Sequence, residues 1–152
     1  HLCAPFDDPD ALAKLARGAE VVTFEFENVP AATTERLVQH GPVRPHPRAL
    51  ATGQDRLFEK QLFQRLGMGV PEYRTAHTLA ELQAAVDAVG APCIVKTRRL
   101  GYDGRGQVRV KTAPEGRAAF EKLKAPVCVV EAFLDIHTEI SVLVARRADG
   151  TG

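Results

Sequence analysis

The chain has 152 residues, of which 45% are hydrophobic and 26% charged, with a formal net charge of +1. That balance is ordinary for one globular domain or two small ones and excludes a disordered acidic or basic tail. No apolar run approaches the roughly 20 residues a membrane helix needs, and the near-zero charge offers no field to attract nucleic acid or a membrane surface.

The opening His1-Leu2-Cys3-Ala4-Pro5 has no basic region followed by an apolar stretch, so it does not read as a signal peptide. Three cysteines, Cys3, Cys93 and Cys128, are an odd number without metal-ligand spacing. Cys93 and Cys128 lie in apolar, strand-like runs, where a reduced thiol behaves as a small hydrophobe; this predicts a cytoplasmic protein.

Asp8-Pro9 opens a helix with a capping carboxylate and Pro in the first turn, and Gly18 closes it. Residues 21–26 predict a buried strand. Pro30 starts a second helix that runs past Val38 to Gly41. Pro42, Pro45 and Pro47 read as a connection. These pieces predict the remnant of an α/β layer with a parallel sheet. Asp55 to Leu66 is an amphipathic helix, with Leu57, Phe58, Leu62, Phe63 and Leu66 on its apolar side. The rhythm then becomes strand, helix, strand, strand, helix, strand. Thr78-Leu79-Ala80-Glu81 is a capping box for a helix ending at Gly90. Cys93-Ile94-Val95-Lys96-Thr97 and residues 107–110 are strands around a glycine-rich loop. Thr112-Ala113-Pro114-Glu115 opens a helix to about Leu123, and residues 127–131 form the next strand. Residues 139–146 alternate polar and apolar like a half-buried strand, and 148–152 carry turn chemistry. A last strand without a partner predicts a chain incomplete at both ends.

The chemistry concentrates in Lys96-Thr97-Arg98-Arg99-Leu100-Gly101-Tyr102-Asp103-Gly104-Arg105-Gly106-Gln107. Three glycines in six residues let the backbone approach a ligand, and successive free N–H groups make a concavity for anions. Lys96, at a strand end, supplies a flexible point charge for phosphate oxygens. The spacing alone is equally compatible with a glycine hairpin beside a solvated lysine. It is neither a Walker A loop nor a dinucleotide fingerprint, both of which open a helix. Glu131-Ala132-Phe133-Leu134 offers a strand end and an apolar turn whose backbone could read an adenine edge, and Glu139 a carboxylate for ribose hydroxyls.

Lys96, Gly101-Tyr102-Asp103-Gly104-Arg105-Gly106-Gln107, Glu131 and Glu139 together resemble the ATP-grasp superfamily. Thr23-Phe24-Glu25-Phe26-Glu27-Asn28-Val29-Pro30 and Asp55-Arg56-Leu57-Phe58-Glu59-Lys60-Gln61 narrow the resemblance to the N5-carboxyaminoimidazole ribonucleotide synthetase family. It covers nearly the whole chain. The fold it implies is α/β: residues 1–54 end an N-terminal pre-ATP-grasp domain, 55–133 form a linking helix and a small α+β lid, and 134–152 begin the C-terminal ATP-grasp domain.

The implied activity is ATP-dependent carboxylation of 5-aminoimidazole ribonucleotide by bicarbonate through carboxyphosphate. Arg56 and Lys96 would contact ATP phosphates, and the loop Gly101, Tyr102, Asp103, Gly104, Arg105, Gly106 and Gln107 would close over the nucleotide. Glu131, Ala132, Phe133 and Leu134 would hold adenine, and Glu139 the ribose. Tyr102, Asp103, Arg105 and Glu25 would face the reacting centre, with Glu27 pointing to the same side as Glu25. The resemblance also implies Mg²⁺, with ligands beyond Gly152, and a homodimer of the full-length protein. On this reading the chain alone would not turn over. The rivals are another ATP-grasp ligase, of the formate-dependent transformylase or biotin carboxylase type, a nucleotide-binding module without catalysis, and a plain α/β structural domain.

Overall fold

The structure, a computed structural model, describes residues 1–101 and 105–147. Asp8 Oδ1 accepts the Asp10 and Ala11 amides, both at 3.0 Å, and starts α1 (Pro9–Arg17) as its sequence dictates. Leu12 and Ala16 of α1 bury against Leu37 of α2 (Ala31–Val38) and Val43 of β2 (Val43–Arg44). β1 (Val22–Thr23) pairs with β2 in parallel, the α/β layer the alternation predicted.

Two local expectations change. The strand over 21–26 shrinks to two residues, because among the described residues it pairs with β2 alone, itself two residues long; Val21 and Phe26 stand about half exposed. The proline-marked connection contains β2 and α3 (Pro47–Gly53). Pro47 occupies the first turn of α3, where it has no helical N–H to lose, and His46 Nδ1 caps it by accepting the Arg48 amide at 3.1 Å. Proline there starts a helix instead of merely breaking one.

The second sheet has the order β3 (Tyr73–Ala76), β6 (Cys128–Ala132), β4 (Cys93–Thr97), β5 (Gln107–Val110), with every neighbour antiparallel. α5 (Leu79–Val89) and α6 (Gly116–Leu123) cover one face. Strand alternation sends Cys93, Val95, Val110, Cys128 and Val130 into that interface, where they join Leu82, Val86 and Ala119 in the main core. Burial pushes both the Cys93 and Cys128 thiols up from their ordinary pKa, in keeping with their reading as core residues. Thr78 Oγ1 accepts the Glu81 amide at 3.1 Å, and the Glu81 carboxylate returns to the His77 amide at 2.8 Å. The predicted cap therefore forms, with its reciprocal bond one residue upstream.

The same alternation turns Ile94, Lys96, Gln107, Arg109 and Glu131 to the opposite face. α4 (Arg56–Arg65) lies against the β3 edge of that face: Lys60 Nζ is 5.6 Å from the Tyr73 ring centre, and the Tyr73 hydroxyl donates to Gln64 Oε1 at 3.0 Å. After β6, residues 133–147 form no helix or strand. The strand expected over 139–146 is not formed, and Val142, Leu143 and Val144 are exposed. An alternating pattern specifies two unlike faces; it does not supply the neighbour a ladder needs. Residues 148–152, with their turn chemistry, lie outside the described residues.

Candidate nucleotide-binding site

The site forms on the sheet face that α5 and α6 leave uncovered. Glu131 sits in the middle strand pair, opposite Ile94 on β4 and Tyr73 on β3, and is buried. Lys96 Nζ donates to Glu131 Oε2 at 2.9 Å. Lys60 Nζ stands 3.1 Å from Glu131 Oε1, close enough to pair as charges but not aligned as a hydrogen bond, so Oε1 accepts none. Two ammonium groups thus share one carboxylate.

The glycine loop is anchored from below. Arg56 donates from Nη2 to the Gly101 carbonyl at 3.1 Å, and from its backbone to the Arg98 carbonyl at 3.1 Å. The Thr97 amide donates to the Gly106 carbonyl at 2.8 Å. A Cβ on Gly106, whose φ is +70°, would lie 2.6 Å from Thr97 Oγ1; one on Gly101 would lie 2.9 Å from the Arg105 carbonyl oxygen. The base of the loop therefore requires glycine at both positions. Thr97 Oγ1 is itself buried without a hydrogen-bond partner among the described residues.

Behind the loop, Arg98 Nε donates to both Asp55 oxygens at 2.9 Å, and Asp55 Oδ1 also accepts the Leu57 and Phe58 amides that open α4. Burial pushes the Asp55 carboxyl up, but the Arg98 hydrogen bond and charge, with the two amides, outweigh it and hold the carboxyl below its ordinary range. Arg98 also lies over the Phe58 ring, 5.1 Å from its centre. A cavity of about 680 Å³ opens here, lined in part by Asn28, Gln54, Phe58, Arg99 and Pro126. Arg99 Nη2 donates to Gln54 Oε1 at 2.9 Å.

The expected site residues divide accordingly. Lys96, Glu131, Gln107, Arg56, Gly101 and Gly106 converge on the open face and the loop base. Ala132 belongs to β6 rather than to a turn, and its amide already donates to the Glu72 carbonyl at 2.9 Å. The Phe133 amide donates to the Pro92 carbonyl at 3.3 Å, and Arg109 stacks 4.0 Å above its ring. Two of the amides expected to be offered to adenine are thereby occupied; Leu134 follows them, half exposed. Arg105 is exposed beside Gly106. Glu25 lies beyond β1 and Glu139 beyond β6, both exposed. Tyr102, Asp103 and Gly104 lie outside the described residues.

Sequence reasoning missed Lys60 and the Asp55–Arg98 pair as parts of the site. The available signal was the i,i+4 spacing of Arg56 and Lys60, which puts both cations on one side of α4. Among the described residues no group of three or more His, Cys, Asp or Glu is placed to hold a metal ion. The described residues therefore form no magnesium site, whose ligands the resemblance puts beyond Gly152. A polyphosphate fits better: it would find ammonium and guanidinium groups beside a glycine-lined approach.

The sequence model of the ATP-grasp domain matches residues 61–152, and that of the ribonucleotide synthetase preATP-grasp domain matches residues 1–54. The chain belongs to the ATP-grasp family. An N5-carboxyaminoimidazole ribonucleotide synthase of Pseudomonas aeruginosa is 39% identical to this ATP-grasp chain over 150 residues, 99% of this chain and 42% of that protein. A solved Staphylococcus aureus N5-carboxyaminoimidazole synthetase, complexed with ADP, superposes with a TM-score of 0.82 at 32% identity, over 89% of this chain and 36% of that one. A solved Aspergillus clavatus N5-carboxyaminoimidazole synthase, in complex with ADP and 5-aminoimidazole ribonucleotide, gives a TM-score of 0.76 at 27% identity, over 88% and 35%. The chain spans 42% of the length of its Pseudomonas relative. No helix among the described residues is long and apolar enough to cross a membrane.

Proposed function

We propose that the protein carrying this chain is a ligase of purine biosynthesis. It joins bicarbonate to the amine of 5-aminoimidazole ribonucleotide and converts ATP to ADP and phosphate. Bicarbonate oxygen attacks the γ-phosphorus and ADP leaves; the amine then attacks the carboxyl carbon of carboxyphosphate and phosphate leaves. The observation that carries the reading is Lys96 on the open sheet face, beneath a glycine loop whose base excludes side chains. The similar proteins solved with ADP and with the ribonucleotide supply the substrates.

Within this reading Lys96 and Arg56 meet the phosphates, and Arg56 also holds the loop through Gly101. The segment Glu131, Ala132, Phe133, Leu134 borders the adenine, and Glu139 bonds the ribose. Tyr102, Asp103, Arg105 and Glu25 face the carboxyphosphate and the ribonucleotide. Gly101, Gly104, Gly106 and Gln107 line the lid. A closed lid keeps water from carboxyphosphate, which otherwise hydrolyses. The proposed division is residues 1–54, 55–133 and 134–152, as the end of one domain, the lid, and the start of the next. A cytoplasmic homodimer completes the proposal; buried Cys93 and Cys128 support the compartment, and the dimer rests on the family resemblance. Mg²⁺ would accompany the ATP, and no step here is routed through it.

The test measures ADP release by the protein carrying this chain at the length of its relatives. Release should depend on both 5-aminoimidazole ribonucleotide and bicarbonate. Release indifferent to the ribonucleotide would reject the carboxylation and leave another ATP-grasp ligase.

A further inference from the structure

Lys60 is among the few charged side chains buried in the described structure, 9% exposed, and nothing in its own helix requires a cation there. Burying an ammonium is costly unless a counter-charge meets it. Its counter-charge is Glu131, at 3.1 Å, and that carboxylate is already bonded to Lys96 at 2.9 Å. One lysine would have sufficed to neutralise a structural glutamate. Two leave the cluster with a surplus positive charge on the open face of the sheet.

The two lysines are not equivalent. The Lys96 side chain is 22% exposed and sits at the mouth of the glycine loop; that of Lys60 is 11% exposed, held beneath α4 against the Tyr73 ring. Lys96 also makes the aligned hydrogen bond, whereas Lys60 faces an oxygen that accepts none. If an anion draws Lys96 away, Lys60 remains to neutralise Glu131. Without Lys60, moving Lys96 would strand a buried carboxylate within reach of an incoming phosphate, and the two negative charges would oppose each other.

We propose that Lys60 is a positioning residue for nucleotide binding: it keeps Glu131 neutralised so that Lys96 can leave that carboxylate for the polyphosphate of a nucleoside triphosphate. The proposal rests on the reading of this face as a nucleotide site. It assigns to Lys60 no contact with the ligand.

The test is calorimetric titration of the protein carrying this chain, at the length of its relatives, with ATP and separately with adenosine. K60M should weaken ATP by about tenfold or more, the scale of one charge-assisted contact, while adenosine binding stays unchanged. K60R, which keeps the charge, should recover most of the loss. In an E131Q background K60M should cost ATP no further affinity, because Lys96 then has no carboxylate to leave; E131Q alone is the reference, since Glu131 itself borders the adenine. That last result separates the proposal from a merely structural role, in which a second core substitution adds to the damage. Equal loss of ATP and adenosine in K60M, or a further tenfold loss of ATP from E131Q to K60M/E131Q, would overturn the proposal. Should K60M fail to fold, the comparison of K60M/E131Q with E131Q decides, since the double variant removes both the Lys60 ammonium and the Glu131 carboxylate. ATP binding by the double variant as tight as by E131Q supports the role, and a tenfold loss between the two rejects it. Wild-type protein that binds no ATP would remove the nucleotide reading and this proposal with it.

Discussion

Thr97 carries its hydroxyl into the underside of the glycine loop, buried and without a hydrogen-bond partner among the described residues. An orphaned hydroxyl costs on the order of 1–3 kcal/mol, so the contact it makes with the two glycines is tight packing and not a polar clasp. Gly106 cannot yield there: its φ of +70° disfavours any other residue, and a methyl would meet Thr97 Oγ1 at 2.6 Å. Gly106→Ala should destabilise the fold by about 1–3 kcal/mol through backbone strain and overpacking, read as a lowered urea midpoint. Thr97→Ala made in the same chain should recover part of that loss, because it removes the atom in the way. Leu100 is a contrasting case: it holds a φ of +61° with its side chain largely in solvent. Its side chain is 78% exposed, so Gly in its place would lose little burial.

At the scale of single elements, α4 depends on Asp55, which caps the helix and pairs with Arg98 at once. Asp55→Ala removes both interactions and leaves a guanidinium unpaired; the expected loss is about 2–4 kcal/mol in chemical denaturation. The acid limb offers a second check. The folded pKa of Asp55 lies below the value of about 3.9 for an unfolded aspartate. The unfolded chain therefore takes up its proton first as pH falls. The stabilisation is complete above about pH 4 and lost as pH drops through the folded pKa. Asp55→Asn, which still caps, should flatten that limb of the stability–pH curve. Much of the lid was legible because its punctuation is local: Thr78 and Gly90 bracket α5, and the apolar alternation of β4 is written within five residues. The N-terminal elements were less so, since Pro42, Pro45 and Pro47 break one element and start another with the same residue type. Lys60 was illegible as a buried cation because its partner, Glu131, is distant in sequence and meets it only when β6 lands beside β3. Over 139–146 the reading took an alternating pattern for a strand while finding it no partner, and no ladder forms there.

Across the whole molecule the cores are unequal. Among the described residues the four-stranded sheet with α5 and α6 encloses ten buried residues, whereas α1, α2 and β2 enclose four around a two-residue ladder. Stability should divide along the same line. Amide exchange should be slowest in β4 and β6, which hold the interior of the four-stranded sheet, and at least about a hundredfold faster in β1, β2 and residues 134–147. Uniform protection across both sheets would contradict this division. One feature of α4 links the two parts of the site. Arg56 reaches the Gly101 carbonyl and Lys60 reaches Glu131, one helical turn apart. Their separation is therefore set by the pitch of the helix: changes of side chain at the three residues between them can be absorbed, while a change in their number cannot. A single residue inserted at Leu57, Phe58 or Glu59 would turn Lys60 by about 100° away from the carboxylate while α4 remained a helix. Over evolutionary time this stretch should tolerate replacement far better than gain or loss, so that its length, more than its letters, carries the site.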